Sequence, residues 1–385
     1  MSIAQRMDRI APFHVMALLA RARELEAQGR DIVHMEIGEP DFSTPERITE
    51  AAVAAMRQGK THYTPALGVS ALREGIADFY QSRYGVSITP SRVVVTPGSS
   101  GALQLIMGVL VNPGQQVIMA DPGYPCNRHF VELVGGQPRL VPVDGSTHYQ
   151  LTLQQVKDHW NEHSVAVMLA SPSNPCGTLI DEQELRAIIH WVEARGGVVI
   201  VDEIYHGLIY GPHPQTAAAF SESLFVVNSF SKYFAMTGYR VGWLIAPTAY
   251  LDAIDRLAQN LFLAPSTPAQ YGALAALEPE SLDILQARVQ VFQQRRDFLL
   301  AELPAMGFRI LSEPQGAFYI YADCSAISAD SFELCRQLLE QADVAVTPGA
   351  DFGLNQPQIH VRFAYTTDIS RLKLGIARIK AFLQG

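Results

Sequence analysis

The residue types best suited to chemistry cluster at Ser229-Phe230-Ser231-Lys232, with Arg240 following in the run Gly238-Tyr239-Arg240-Val241-Gly242. Lysine is the side chain whose pKa falls most readily under burial or beside another cation, which makes its amine nucleophilic near neutral pH. Arg240 would bind an anion and help keep Lys232 reactive. An amine paired with an anion clamp points to a lysine that holds a phosphorylated aldehyde. A surface lysine in a turn is the plain alternative, and the pieces that follow weigh against it.

Several other stretches fit the same chemistry. Val93-Val94-Val95-Thr96 runs into Pro97-Gly98-Ser99-Ser100-Gly101-Ala102 and then the helical Leu103–Leu110, an order in which free backbone NH groups at a helix start can meet an anion. The loop lacks the GxGxxG and GxxxxGK spacings, so a single phosphate suits it better than a dinucleotide; an ordinary strand-to-helix turn reads the same way. Tyr124, held between Pro122 and Pro125 after the apolar Val117–Ala120, can offer its face to a planar ring, or be a core tyrosine. Asn174 stands between Pro172 and Pro175 after Val165–Ala170, and Asp202-Glu203-Ile204-Tyr205 ends the apolar Val198–Val201. Gly38, in Gly38-Glu39-Pro40-Asp41-Phe42, permits a turn or a close approach that a side chain would block. Tyr63 lies in a polar loop. Arg362, in His360-Val361-Arg362-Phe363, points off one strand face, as a salt-bridged edge arginine also would.

These residues need a scaffold, and the chain's alternation supplies one. The apolar runs above, with Phe225–Asn228 and Val241–Ala246, read as strands among helices, which predicts a mostly parallel sheet flanked by helices on both faces. In such sheets ligands collect beyond the carboxyl ends of the strands, where Gly98, Tyr124, Asn174, Asp202 and Lys232 all fall. Val15–Gln28, Ile48–Met56, Val69–Tyr84 and Asp181–Arg195 read as helices, with Ser43-Thr44-Pro45-Glu46 as a capped helix start. A long helix over Ser281–Leu303, stopped by Pro304 and Gly307, leads to a smaller α+β part. Its predicted strands are Phe308–Leu311, Ala317–Tyr321, Val344–Thr347 and Ile359–Phe363, and its helices Ser331–Gln341 and Ile369–Leu383.

The length of 385 residues exceeds what one hydrophobic core organises, so two domains are expected: 46–284 as the large one, 1–45 with 285–385 as the small one. With 29 basic and 38 acidic residues the net charge is −9, and no basic stretch could track a phosphate backbone, which argues against nucleic acid. Arg6, Asp8, Arg9 and Pro12 interrupt the first twenty residues, and no apolar run reaches the roughly 18 residues of a membrane span. A cytoplasmic protein without a membrane partner is expected. Cys126, Cys176, Cys324 and Cys335 form no CxxC pair and join no histidine at metal-ligand spacing, so no metal is expected.

Taken together, Gly38-Glu39-Pro40-Asp41-Phe42, Ser173-Asn174-Pro175-Cys176-Gly177-Thr178, Asp202-Glu203-Ile204-Tyr205, and Ser229-Phe230-Ser231-Lys232 with Arg240 and Arg362 resemble the class I/II aminotransferases, over nearly the whole chain. The resemblance implies the fold type I architecture, with a seven-stranded sheet, and pyridoxal 5'-phosphate held as a Schiff base on Lys232. Lys232, Asp202 and Tyr205 would be catalytic: Lys232 as the proton carrier, Asp202 as partner of the pyridine nitrogen, and Tyr205 with Asn174 at the phenolic oxygen. Tyr124 would stack on the ring, while Ser99, Ser100, Ser229, Ser231 and Arg240 would hold the phosphate. Tyr63 would reach that phosphate from a second subunit, implying a homodimer with shared sites. Arg362 would grip the substrate α-carboxylate, with Gly38 and Asn174 close by.

The reaction so implied moves an amino group between an L-amino acid and a 2-oxo acid, with 2-oxoglutarate as acceptor. No second arginine for a side-chain carboxylate is identifiable, and Phe13, Ile37 and Tyr124 could line an apolar pocket, so neutral or aromatic amino acids are expected. The alternatives are a β-carbon–sulfur lyase using the same lysine and, from another class, a binding protein that senses the cofactor without turnover.

Overall fold

The computed structural model describes residues 3–10 and 14–385. The first elements are α1 (His14–Ala27), β1 (Val33–His34), α2 (Glu46–Arg57) and α3 (Ser70–Tyr84). Then come β2 (Val93–Thr96), α4 (Gly98–Leu110), β3 (Gln116–Asp121), α5 (Pro125–Leu133), β4 (Gln137–Pro142) and α6 (Leu153–His159). Next are β5 (Ser164–Ala170), α7 (Glu182–Glu193), β6 (Val198–Asp202), β7 (Phe225–Ser229) and β8 (Gly242–Ile245).

Strands β2 to β8 form one seven-stranded sheet in the order β2-β8-β7-β6-β5-β3-β4. β8 runs antiparallel to both neighbours, and every other pair is parallel. Every residue of β2, β6, β7 and β8 is buried, because helices cover both faces, and this is why these strands read as unbroken apolar runs. β4 was not anticipated: Pro138 and Pro142 disguise it, and it is tolerated because it occupies the sheet edge, where a missing NH donor costs little.

After the sheet come α8 (Leu251–Leu261), α9 (Thr267–Ala276) and the long α10 (Pro279–Ala305). The remaining elements are β9 (Tyr319–Asp323), α11 (Ser331–Ala342), β10 (Val344–Ala345), β11 (Thr347–Pro348), β12 (His360–Ala364) and α12 (Ile369–Gln384). β11, β12 and β9 make an antiparallel sheet, while β1 pairs in parallel with β10. The predicted strand Val344–Thr347 therefore splits, its two halves joining different partners.

Three other local expectations are corrected. Phe308–Leu311 forms no strand, only an isolated bridge between Arg309 and Asp323. The hydroxyl expected to cap α2 does not: Pro45 is the cap residue, and Thr44 Oγ1 donates instead to the Ala235 carbonyl at 2.6 Å. α4 begins at Gly98 rather than Leu103, so the Gly-Ser-Ser-Gly stretch that reads as a loop forms its first turn. Asp181 caps α7 as expected, accepting from the NH groups of Gln183 and Glu184.

The Gly38–Phe42 segment is clamped from α10. Arg295, almost fully buried, donates from Nη1 and Nη2 to the two carboxylate oxygens of Asp41, each at 2.8 Å. Removing one partner of such a pair leaves an uncompensated charge. Arg295→Met is expected to cost about 2 kcal/mol or more, whereas Arg47→Met, which breaks an exposed pair with Glu278, should stay under about 1 kcal/mol. Thermal unfolding of both variants at one scan rate checks this; equal midpoints would remove the clamp's importance.

Candidate active site

β6 is the central strand of the seven, so Asp202 at its carboxyl end sits mid-sheet. On one side β7 delivers Ser231 and Lys232, on the other β5 leads to Asn174; further out come Tyr124 after β3 and Ser99-Ser100 after β2. These residues line one cavity of about 330 Å³, closed from the other side by Gly38, Tyr319, Phe352, Arg362 and the α1 residues Val15, Met16 and Leu19. Strand order thus brings together residues spread over the chain.

One wall is an anion cradle. The first-turn NH groups of α4 have no side-chain cap, and Arg240 lies against them. Gly98 is required there: its φ is +70°, and a Cβ would meet Arg240 Nη2 at 2.4 Å. Gly242 is required from the other side, since its Cβ would lie 2.7 Å from the Gly98 carbonyl carbon and 2.8 Å from the Ser99 nitrogen. Arg240 takes the left-handed conformation, φ +53°, which aims its guanidinium back over this turn; Nη1 donates to the Thr237 carbonyl at 2.9 Å and to Ser231 Oγ at 3.4 Å.

Lys232 Nζ donates to the Gly38 carbonyl at 2.6 Å. Burial pushes its amine down to about 8; Glu39 opposes this, while Arg362 and Arg240 reinforce it. The expected influence of Arg240 is therefore present but secondary to desolvation. Asp202 is buried, accepts from the Ile204 NH at 3.0 Å, and is pushed up to about 6 by desolvation against the attraction of Lys232. A cation placed against Asp202 would reverse that cost. Tyr205 is buried with its hydroxyl 2.9 Å from that of Tyr319.

Arg362 is buried between the rings of Tyr319 and Phe352, 4.3 and 4.7 Å from their centroids. Its Nη1 donates to Asn174 Oδ1 at 3.0 Å and its Nη2 to the Glu36 carbonyl at 2.5 Å, while Nε has no partner. A buried guanidinium with an unused donor is suited to an incoming carboxylate. Gly38 faces Tyr319 so closely that a Cβ would reach the phenol oxygen at 2.0 Å, which identifies it as a close-approach glycine.

Of the residues singled out from sequence, Gly38, Ser99, Ser100, Tyr124, Asn174, Asp202, Tyr205, Ser231, Lys232, Arg240 and Arg362 all line the cavity. Ser229 stands behind it, fully buried, its hydroxyl 2.9 Å from Ser231 Oγ. Tyr63 is not brought to this cavity; it is 83% exposed. Ile37 lines the cavity, and Phe13 lies outside the described residues. Tyr319, Phe352 and α1 were missed. Tyr319 lies in a buried apolar strand, where an aromatic reads as core, and nothing local marks a helix near the N-terminus as a cavity wall.

Residues 30–379 match the family of class I and II aminotransferases. The chain is 37% identical to the valine–pyruvate aminotransferase of Mycobacterium tuberculosis, over 98% of this chain and 99% of that protein. It is 33% identical to the aspartate aminotransferase of Geobacillus stearothermophilus, over 100% and 99%. Among solved structures, an aminotransferase from Mycobacterium tuberculosis superposes with a TM-score of 0.96 at 36% identity, covering 100% of this chain and 99% of the other.

The electrostatics of Lys232 can be tested on ligand-free protein. Acylation of Lys232 by an amine-reactive reagent, followed by peptide mass spectrometry, should rise with pH through a midpoint near 8 as the amine loses its proton. A midpoint near the ordinary 10.5 would show that burial does not tune it.

Proposed function

This chain belongs to the class I and II aminotransferases, a family dependent on pyridoxal phosphate, and from that premise we propose that it moves the amino group of a neutral or aromatic L-amino acid to a 2-oxo acid, the acceptor expected from sequence, 2-oxoglutarate, being weighed against neutral oxo acids. The observation that carries the reading is the joint placement of a buried low-pKa amine, an anion cradle and a guanidinium with a free donor on one cavity.

The residues fit the cofactor by donor set and shape. Phosphate would be held by the first turn of α4 with Ser99, Ser100, Ser231 and Arg240, Ser229 orienting the Ser231 hydroxyl; the cradle that a Cβ at Gly98 or Gly242 would fill supports this. Asp202 would face the pyridine nitrogen, and its costly buried charge is the reason a protonated ring nitrogen is favoured beside it. Tyr205 and Asn174 would reach the phenolic oxygen, and Tyr124 would cover the ring face. Bound there, pyridoxal phosphate supplies a conjugated sink for the electron pair left at the substrate α-carbon.

Lys232 would hold the cofactor and, with its amine freed by the substrate amine, would serve as the base whose Nζ takes up and gives back the proton of the substrate α-carbon. A pKa near 8 suits both directions, since the amine is partly neutral at physiological pH. Arg362 grips the α-carboxylate and, with Gly38 and Asn174 beside it, fixes the α-carbon relative to Lys232.

Three cations line the cavity among the described residues, Lys232, Arg240 and Arg362, and each already has a role, so none is left for a side-chain carboxylate. Val15, Met16, Leu19, Ile37 and Phe352 supply apolar surface instead, which supports a neutral donor. The valine–pyruvate relative, whose name pairs a neutral amino acid with a neutral oxo acid, agrees with this preference.

The division into 46–284 and 1–45 with 285–385 is supported by the pairing of β1 with β10. A homodimer in which Tyr63 reaches the neighbouring subunit's phosphate is supported by the near-complete exposure of that aromatic. No helix of the described residues is long and apolar enough to cross a membrane, and the proposed site of action is the cytoplasm.

The test is an absorption spectrum of the cofactor-loaded protein as single amino acids are added, with 2-oxoglutarate and pyruvate compared as acceptors. Neutral and aromatic amino acids should shift the spectrum; response to aspartate alone would overturn the preference, and pyruvate with ammonia from cystathionine would replace transfer by elimination. Lys232→Ala should keep cofactor but lose at least about 10³-fold in turnover. Arg362→Ala should raise the amino-acid KM about a hundredfold and leave the unliganded spectrum unchanged.

A further inference from the structure

His34 has no place in the chemistry above, yet its surroundings are specific. It ends β1, and its two ring nitrogens face two different carboxylates: Nδ1 lies 2.7 Å from Glu36 Oε1, and Nε2 lies 3.1 Å from Glu26 Oε1. Carboxylates only accept hydrogen bonds, and a neutral imidazole has one NH, so the bridge is complete only when both ring nitrogens carry protons. The ring is then a cation held between two anions.

Both ends of the bridge lead to the cavity. Glu26 belongs to α1, whose Val15, Met16 and Leu19 line the cavity. Glu36 is completely buried, and its Oε2 has no partner, so His34 is the group that compensates its charge. The carbonyl of the same Glu36 accepts from Arg362 Nη2 at 2.5 Å and from Thr347 Oγ1 at 3.1 Å. At its other end α1 is fixed by Asp351, which accepts from the His14 and Val15 NH groups at 2.7 Å each. Its middle is tied to α11 by Arg21, which donates to Glu340 at 2.7 and 3.1 Å, and its Ala22 and Leu25 pack on Leu339, whereas His34 ties its Glu26 end to Glu36 beside the cavity.

We propose that His34 is a positioning residue: as an imidazolium bridging Glu26 and Glu36, it locks the cavity-lining helix α1 to the carbonyl that seats Arg362, and so sets substrate affinity without touching substrate. This rests on the reading of Arg362 as the α-carboxylate clamp.

The neighbouring charges leave the bridge intact. On α12, Arg371 and Arg378 are paired with Asp31 at 2.7 and 3.0 Å, Arg371 also attracting Glu26 from a longer distance, and β10 brings only Val344 and Ala345. At the end of α11, Asp343 pairs with Arg30 at 2.6 Å. Glu26 and Glu36 are thus the anions that His34 meets. Its pKa is raised from 6.5 to about 9, chiefly by the hydrogen bond to Glu36, against the cost of burial. A raised folded pKa means that the contribution is complete below the ordinary 6.5, declines above it, and is lost as pH rises through about 9, while the ring in the fold is still protonated at neutral pH.

The experiment is steady-state transamination of a reactive amino acid by the cofactor-loaded enzyme and by His34→Leu, Glu26→Ala and Arg362→Lys variants, from neutral pH to above 9, with the unliganded absorption spectrum recorded for each. His34→Leu should raise the amino-acid KM about tenfold, the size of one lost charge-assisted contact, with kcat within about twofold and the spectrum unchanged. Glu26→Ala, on an exposed position, should raise KM in the same direction by a smaller factor, about two- to fivefold. The wild-type KM should climb above pH 9 more steeply than that of His34→Leu, because titration of the substrate's own amine is common to both. An unchanged KM in His34→Leu and Glu26→Ala, or the same climb with and without the imidazole, overturns the proposal. If Arg362→Lys also leaves KM unchanged, the carboxylate-clamp reading fails; if it raises KM while the other two do not, only the role of His34 fails.

Discussion

The structure is organised around taking one lysine amine out of water. Lys232 is desolvated at the end of β7, its single protein hydrogen bond among the described residues runs to a main-chain carbonyl, and two arginines flank the same cavity. An ammonium in such a place is costly, and a neutral amine is favoured as pH rises past about 8. The same desolvation makes the Asp202 carboxylate costly a short distance away. A ligand that brings a cation to Asp202 and an anion to Arg240 would offset these costs, a charge pattern that a pyridoxal phosphate has.

Topology explains how so small a volume collects residues from so much of the chain. Parallel pairing sets the carboxyl ends of β5, β6 and β7 side by side, so Asn174, Asp202 and Lys232 are neighbours although far apart in sequence. The antiparallel β8 passes between β2 and β7, and its start at Gly242 therefore packs on the first turn of α4. That single reversed strand brings Arg240 against the first turn of α4. Two glycines permit the approach, and no other residue type fits at either position without displacing the arginine or the turn.

What was legible in the sequence is what backbone periodicity and unusual local composition expose. Buried parallel strands read as continuous apolar runs, and Asp202 was visible because it directly follows such a run, Asn174 because prolines fix it after one, and Lys232 because small hydroxyls flank it with Arg240 downstream. Residues whose role comes from tertiary contact were not legible. Tyr319 is an aromatic in an apolar strand, Glu36 and His34 are two polar residues in a short segment, and nothing in α1 shows that its apolar side faces a cavity. The first turn of α4 was misread as a loop because Gly and Ser are weak helix formers; tertiary context overrode that propensity. Thr44 was misread in the opposite sense, its hydroxyl drawn away from the helix end by the Ala235 carbonyl.

The segment from Glu36 to Gly38 shows why binding and chemistry are not independent here. Its three consecutive carbonyls accept from three separate elements: Glu36 from Arg362, Ile37 from Thr366 at 2.9 Å, and Gly38 from Lys232. Just before it, the Met35 carbonyl accepts from the Ala364 NH, so the strip is anchored to the strand that bears Arg362. Just after it, Asp41 is held by Arg295. A displacement of this strip would therefore move the seat of Arg362 and the acceptor of the Lys232 amine together. Because all three carbonyls are main-chain, no substitution can remove them singly, and selection can act on the strip only through the side chains that pin it. Side chains around the strip, in α1, β1 and α10, can therefore shift Arg362 and Lys232 together.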